Sequence, residues 1–246
     1  MSDGLLQPGD VIDDRYTVTK SLETGNLTTA YVVSDGLEDR DMVLKVVASL
    51  ALDSASRLDE FRSALAGVFK LRHRNIAQVQ AIGTFGESCF YTMEYFRWGS
   101  LGNLLNQLRK AEKQMGLEAC LGISTQVCDA LIHAHETMVH NTLNLRNILL
   151  EPAKKLDGNS VGGMYVGVSD FEVMPLIKIG DITQARPKDD RGRYMAPEVK
   201  PGRRGSPRAD IFSIGVLMYE MLTAELPDMA NYESPHHLRD GIPTIL

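Results

Sequence analysis

The chain has 246 residues, 43% of them hydrophobic, enough to bury a sizeable core as one large domain or two lobes. A formal net charge of -6 argues against a broad nucleic-acid surface, and the basic cluster Arg186, Lys188, Arg191, Arg193, Lys200, Arg203, Arg204 and Arg208 is expected to be a solvated stretch. No apolar run approaches the ~18 residues of a membrane helix, and Met1-Ser2-Asp3-Gly4 has no signal-peptide character.

Short apolar runs separated by turn residues predict strands over Tyr16–Leu22, Thr28–Ser34 and Asp41–Ala48. Phe61, Leu65, Val68 and Leu71 have helical spacing and predict a helix over Leu58–Leu71. Two more strands are expected over Ala77–Phe85 and Cys89–Tyr95. The pattern then turns helical, with helices over Leu101–Lys113 and Leu117–Val139, the second with Leu121, Val127, Leu131 and Ala134 inward. Met164–Val168 and Phe171–Met174 suggest a hairpin. Asp210–Thr223 is almost wholly apolar and predicts a helix buried on most sides. Cys89, Cys120 and Cys128 have no ligand-like spacing and fit reduced thiols of a cytoplasmic protein. His133 and His135, two apart on one helix, diverge and make a poor metal pair.

The most informative stretch is His140-Asn141-Thr142-Leu143-Asn144-Leu145-Arg146-Asn147-Ile148-Leu149-Leu150. It resembles the catalytic loop of protein kinases, H-R-D-L-K-P-x-N-I-L-L. Other blocks follow in the family's order. Leu6-Gln7-Pro8-Gly9 with Arg15-Tyr16 resembles the entry to bacterial Hanks-type Ser/Thr kinases. Met42-Val43-Leu44-Lys45 is similar to V-A-I-K, His73-Arg74-Asn75-Ile76 to H-P-N-I, and Met93-Glu94-Tyr95-Phe96 to the gatekeeper and hinge. Ala134-His135, Tyr194-Met195-Ala196-Pro197-Glu198 and Asp210-Ile211-Phe212-Ser213-Ile214-Gly215-Val216 match later blocks.

The resemblance implies a bilobal α+β fold. Residues 1–13 would be an N-terminal extension, 14–94 a β-rich N-terminal lobe and 95–246 an incomplete helical C-terminal lobe, stopping shortly after the apolar helix. About twenty residues more than usual separate Asn147 from Asp181, so residues 151–175 are expected to be an insertion. The implied ligands are ATP and Mg²⁺. The nucleotide-binding positions would be Gly25, Lys45, Met93, Glu94, Phe96, Leu149 and Asp181. Asn147 and Asp181 would hold the metal, with Asp181-Ile182-Thr183 in the place of D-F-G. His140, Asp210 and Glu198 would brace the scaffold, and Val68, His140 and Ile182 would complete an apolar spine.

The same comparison exposes losses. Thr142 stands where the catalytic Asp accepts the substrate hydroxyl proton, Asn144 where the catalytic Lys stands, and Asn141 where an Arg pairs with an activation-loop phosphate. Ala64 falls where a Glu pairs with the phosphate-binding Lys, leaving Glu60 one turn earlier. The glycine loop keeps only Gly25, and Glu23 sets a carboxylate near the expected phosphates. The chain thus resembles a degenerate family member, a pseudokinase acting as a regulatory or protein-interaction scaffold with weak or no nucleotide binding. Two alternatives stand beside it: a weakly active enzyme using Lys45, Asn147 and Asp181, and a nucleotide-gated binding switch without chemistry. A protein partner is expected. The bacterial family includes dimers formed through the N-terminal lobe, so self-association is a further expectation.

Overall fold

The structure, a computed structural model, describes residues 6–24, 28–47, 55–86, 88–152, 163–171, 190–199 and 205–244. Contacts divide these into two units. The first runs through Arg72 and resumes over Ala77–Tyr95; the second holds His73–Ile76 and the chain from Phe96 onward.

The first unit is built on one antiparallel sheet. Its strands are β1 (Val11–Ile12), β2 (Tyr16–Thr24), β3 (Thr28–Asp35), β4 (Arg40–Val47), β5 (Val79–Phe85) and β6 (Ser88–Glu94), in the order β1-β2-β3-β4-β6-β5. Side chains alternate between the faces of a strand. Tyr16 and Val18, Tyr31 and Val33, Met42 and Leu44, and Phe90 therefore gather on one side, where they form a core with Leu6 and Ile12. The pairing of β3 with β4 keeps one register throughout, whereas β2 slips against β3 between Val18 and Lys20 and again between Ser21 and Glu23. Helix α1 (Ala55–Lys70) lies against β5 and buries Phe61, Ala64, Leu65 and Val68, one stripe at helical spacing.

A fork of hydrogen bonds fastens the start of this sheet. Arg15 donates from Nε and Nη2 to the two carboxylate oxygens of Asp35, each at 2.7 Å, and Leu37 N donates to Asp35 as well. The Arg15 bonds hold the Asp35 carboxyl down at about 2, below its ordinary 3.8. A depressed carboxylate contributes stability that is complete above its unfolded pKa and is lost as pH falls through its folded one. Urea midpoints measured from pH 5 to pH 2 are therefore expected to fall, with Asp35→Asn flattening the fall below pH 4. An Asp35→Asn profile parallel to wild type would refute this role.

The second unit contains α2 (Leu101–Lys110), α3 (Leu117–Ala134), β7 (Ile148–Pro152), β8 (Met164–Val168), a 3₁₀ turn (Asp190–Tyr194), α4 (Pro207–Thr223) and α5 (Pro235–Leu238). The Ser100 hydroxyl caps α2 by accepting from Asn103 N at 3.3 Å, and a left-handed residue, Glu112, follows its end. α3 stops at Ala134, short of the expected Val139. Its buried stripe is Cys120, Ile123, Val127, Ala130, Leu131 and Ala134; Leu121, expected inward, lies about 100° round the helix from Cys120 and is 39% exposed.

Met164–Val168 pairs with Ile148–Pro152. Residues 172–174 of the expected partner strand lie outside the described residues. Ile148, Leu150, Val166 and Val168 are all buried and share one face of this hairpin, and β8 packs on α3. Pairing β7 with β8 thus buries four apolar side chains at once. Amides complete the seam. Asn75 Nδ2 donates to Val166 O at 2.8 Å and to Gln126 Oε1 at 3.1 Å, and Val166 N donates to the same Gln126 oxygen at 3.0 Å.

Candidate functional site

Each unit carries its own group of predicted residues. In the first, Lys45 is half-buried on β4, paired across the sheet with Ala30 and Tyr91. Met93, almost wholly buried on β6, lies opposite Val43; Glu94 follows it, exposed, with its N–H donating to Gln78 O at 3.2 Å. Ala64 is buried on α1, so a methyl group occupies the position where the family places a carboxylate. Glu60 is exposed. Gly25 lies outside the described residues.

In the second unit the loop from His140 to Asn147 is fixed from both sides. Asp210, at the start of α4, is 0% exposed. It accepts from His140 N and Asn141 N, each at 2.8 Å, and pairs with His135 Nε2 at 2.9 Å. The structure thus brings His140 and Asp210 together, through the backbone of His140. The His140 ring points elsewhere: its Nε2–H donates to Ser169 O at 2.9 Å, and Nδ1 is buried with no partner among the described residues. Burial pushes this imidazole below its ordinary pKa, so it is neutral.

The three asparagines of the loop are buried, and each bonds to nearby backbone. Asn141, in the left-handed region at φ 67°, accepts from Gly205 N at 2.5 Å and donates to Val139 O. A Cβ on Gly205 would stand 2.9 Å from that Asn141 oxygen, so the contact requires glycine. Asn144 Nδ2 donates to Thr142 O at 2.8 Å while its Oδ1 accepts from Arg146 N at 2.9 Å, a side-chain turn closed on itself. Asn147 Nδ2 donates to the same Thr142 carbonyl at 3.1 Å. Thr142 Oγ1 is buried and has no hydrogen-bond partner among the described residues. Leu143 and Leu145 are buried between these amides.

A pair that sequence reasoning missed follows directly on β8. Ser169 N donates to Asn147 O at 2.9 Å, which sets Asp170 next in line, at φ 64°. Phe171 is 0% exposed and packs on the His140 ring, centroids 4.6 Å apart. The signal in the sequence was Asp170-Phe171, two consecutive letters of D-F-G after an apolar strand. Lys178-Ile179-Gly180-Asp181 offers a competing run with the same shape. Asp181 and Ile182 lie outside the described residues. Glu198 is exposed after the 3₁₀ turn. Leu149 is half-buried on β7, and Phe96 is buried.

A second buried carboxylate sits near the other end of α4. Glu220 accepts from the Tyr194 hydroxyl and from Arg109 Nη2, the latter at 2.5 Å, and joins α2 and the 3₁₀ turn to α4.

A twisted antiparallel sheet with one helix, followed by a helical unit whose loop is tied to a buried Asp, defines the protein-kinase class. The family model for protein tyrosine and serine/threonine kinases matches residues 18–244, and the chain belongs to this family. It is 25% identical over 247 residues to a probable serine/threonine-protein kinase PknB of Lactococcus lactis, covering 98% of this chain and 37% of that protein. It is 29% identical over 218 residues to the serine/threonine-protein kinase PknL of Mycobacterium tuberculosis, covering 88% and 51%. The chain therefore spans about a third to a half of the length of these curated relatives. Among solved structures, the Mycobacterium tuberculosis PknI kinase domain matches with a TM-score of 0.70 at 19% identity, over 97% of this chain and 87% of that one. Among the described residues, no helix is long and apolar enough to cross a membrane.

Proposed function

We propose that this domain is a catalytically inactive member of the protein kinase family that works by binding another protein. The observation that carries this reading is Thr142. Its hydroxyl stands at the position of the catalytic base, buried, and a Thr hydroxyl has no basicity near neutral pH. The neighbouring groups have moved in the same direction. Asn144, in place of the Lys, spends its amide on its own loop, and Asn141, in place of the Arg, binds the Gly205 backbone. The loop keeps its shape through neutral amides, and positions 141, 142 and 144, where the family has Arg, Asp and Lys, carry no charge.

The metal half of the family's site retains suitable donors. With Asn147 Nδ2 held by Thr142 O, the amide oxygen is the end left for a hard cation. We assign the D-F-G role to Asp170-Phe171 instead of Asp181-Ile182. Asp170 follows the strand that pairs with β7, and Phe171 meets His140. Asn147 and Asp170 would hold Mg²⁺, which when bound would neutralise phosphate charge; in the first unit Lys45 keeps the residue type that the family uses for phosphate. This donor set favours residual nucleotide binding without transfer, and with it a nucleotide-gated switch as the second reading.

Incubation with γ-labelled ATP, Mg²⁺ and a generic protein substrate is expected to give no incorporation above a boiled control. Transfer that disappears in both Lys45→Ala and Asp170→Ala would overturn the inactive reading.

A further inference from the structure

We infer that His73 makes the docking of the segment His73–Ile76 on α3 sensitive to pH: adding a proton to its ring removes the acceptor of the Asn75 N–H and sets a second positive charge beside Arg74. The inference goes beyond the proposed function and does not rest on it.

These four residues stand in the chain between two spans of the first unit but pack with the second. Asn75 is their anchor, 1% exposed. Its side chain donates to Gln126 Oε1 of α3 and to Val166 O of β8, and its carbonyl accepts from Val168 N at 2.8 Å. Its own N–H donates to His73 Nδ1 at 3.2 Å. That bond requires a lone pair on Nδ1, so the ring is neutral and its proton is on Nε2. In an imidazolium both ring nitrogens are donors. Protonation therefore turns two N–H groups toward each other and leaves a buried backbone N–H without its acceptor.

The surroundings oppose the charge as well. The His73 ring stacks on the His133 ring of α3, with centroids 5.3 Å apart and planes 20° apart. Arg74, on the same segment, pairs with Asp129 of α3 at 3.7 Å. His133, Arg74 and Asp129 are the charged or titratable groups that act on His73, and Val166 and Val168, which meet the segment from β8, carry none. Burial, then His133 and Arg74, outweigh Asp129 and hold this imidazole below its ordinary 6.5. The neutral ring thus belongs to the docked segment. Its contribution is complete above 6.5 and is lost as pH falls through the lower docked value.

The test is amide hydrogen exchange of the full chain, read by mass spectrometry at pH 7.5, 6.5 and 5.5 and corrected for intrinsic rates, in wild type, His73→Asn and His133→Phe. The Asn side-chain oxygen accepts from the N–H two residues on, as Nδ1 does, and does not titrate. Between pH 7.5 and 5.5, wild-type protection over Leu71–Val79 is expected to fall about fivefold or more, with less than about a twofold change over Thr28–Asp35 and His140–Asn147. His73→Asn is expected to stay flat. His133→Phe keeps the stacked ring and removes a neighbouring charge, so the fall is expected to persist with its midpoint at higher pH. A flat wild-type profile, or the same fall in His73→Asn, overturns the inference. So does an equal loss of protection along the whole chain, which would assign the effect to global stability. Should His73→Asn fail to fold, His133→Phe decides: a midpoint that stays or moves to lower pH overturns the inference.

Discussion

Asp210→Ala is expected to lower the unfolding free energy by about 3–5 kcal/mol, the range for breaking a buried, fully hydrogen-bonded carboxylate. The carboxylate is wholly buried and receives His140 N, Asn141 N and His135 Nε2 within 2.9 Å. Removing it leaves two buried backbone N–H groups without acceptors, each costing about 1–3 kcal/mol. Asp210→Asn keeps an oxygen for one donor but turns an N–H toward another, so about half the loss is expected. Urea denaturation followed by far-ultraviolet circular dichroism reads the difference. A loss below about 1 kcal/mol for Asp210→Ala would show that the loop is held by other contacts. The result matters for function because the loop's asparagines act through the backbone geometry that Asp210 fixes.

Phe171→Ala is the second large effect, about 3–5 kcal/mol for deleting a buried aromatic ring. Phe171 is 0% exposed and lies on His140, so its loss opens a cavity beside an imidazole whose Nδ1 is already unpartnered among the described residues. Phe171→Leu, which keeps most of the volume, is expected to cost less than half as much. The companion measurement is Ile182→Ala. If that variant shows the larger loss and Phe171→Ala is mild, the D-F-G role returns to Asp181-Ile182. In the expected outcome, Asp170→Ala also abolishes any Mg²⁺-dependent thermal shift with ATP, and Asp181→Ala leaves it intact.

The two buried carboxylates of α4 share a logic. Asp210 holds the loop that begins at His140, and Glu220 holds Arg109 and Tyr194. A helix with buried residues on most sides is a rigid post, and a carboxylate near each end lets it fix flanking segments through hydrogen bonds as well as packing. The loss of charge at Asn141 and Asn144 follows the same course, with amides anchoring backbone where charged groups would reach outward.

Much of this was legible in the chain itself. Motifs in fixed order pointed to the kinase family, and short apolar runs between turn residues marked the strands of the sheet. Local chemistry sufficed for Thr142, Asn144 and Ala64, since the identity of a side chain limits what it can do wherever it sits. Leu121 was misplaced because apolar character alone does not say which side of α3 meets its neighbours, and only the packing of α4 and β8 selects the stripe from Cys120 to Ala134.

What the sequence by itself determined was family, strand and helix type, and the absence of a base at position 142, all properties of adjacent residues or their spacing. What only the tertiary structure decided was long-range pairing. Two Asp-containing runs follow Asn147, and the Phe after Asp170 is the one local difference in favour of the first. The proposed choice of Asp170-Phe171 is supported by β8 pairing with β7, which buries Val166 and Val168 beside Ile148 and Leu150 and places Phe171 on His140. The fit of Phe96 into Gly167 is of the same kind. Neither residue, read alone, shows that a ring on one segment fills the side-chain volume missing from another 71 positions away.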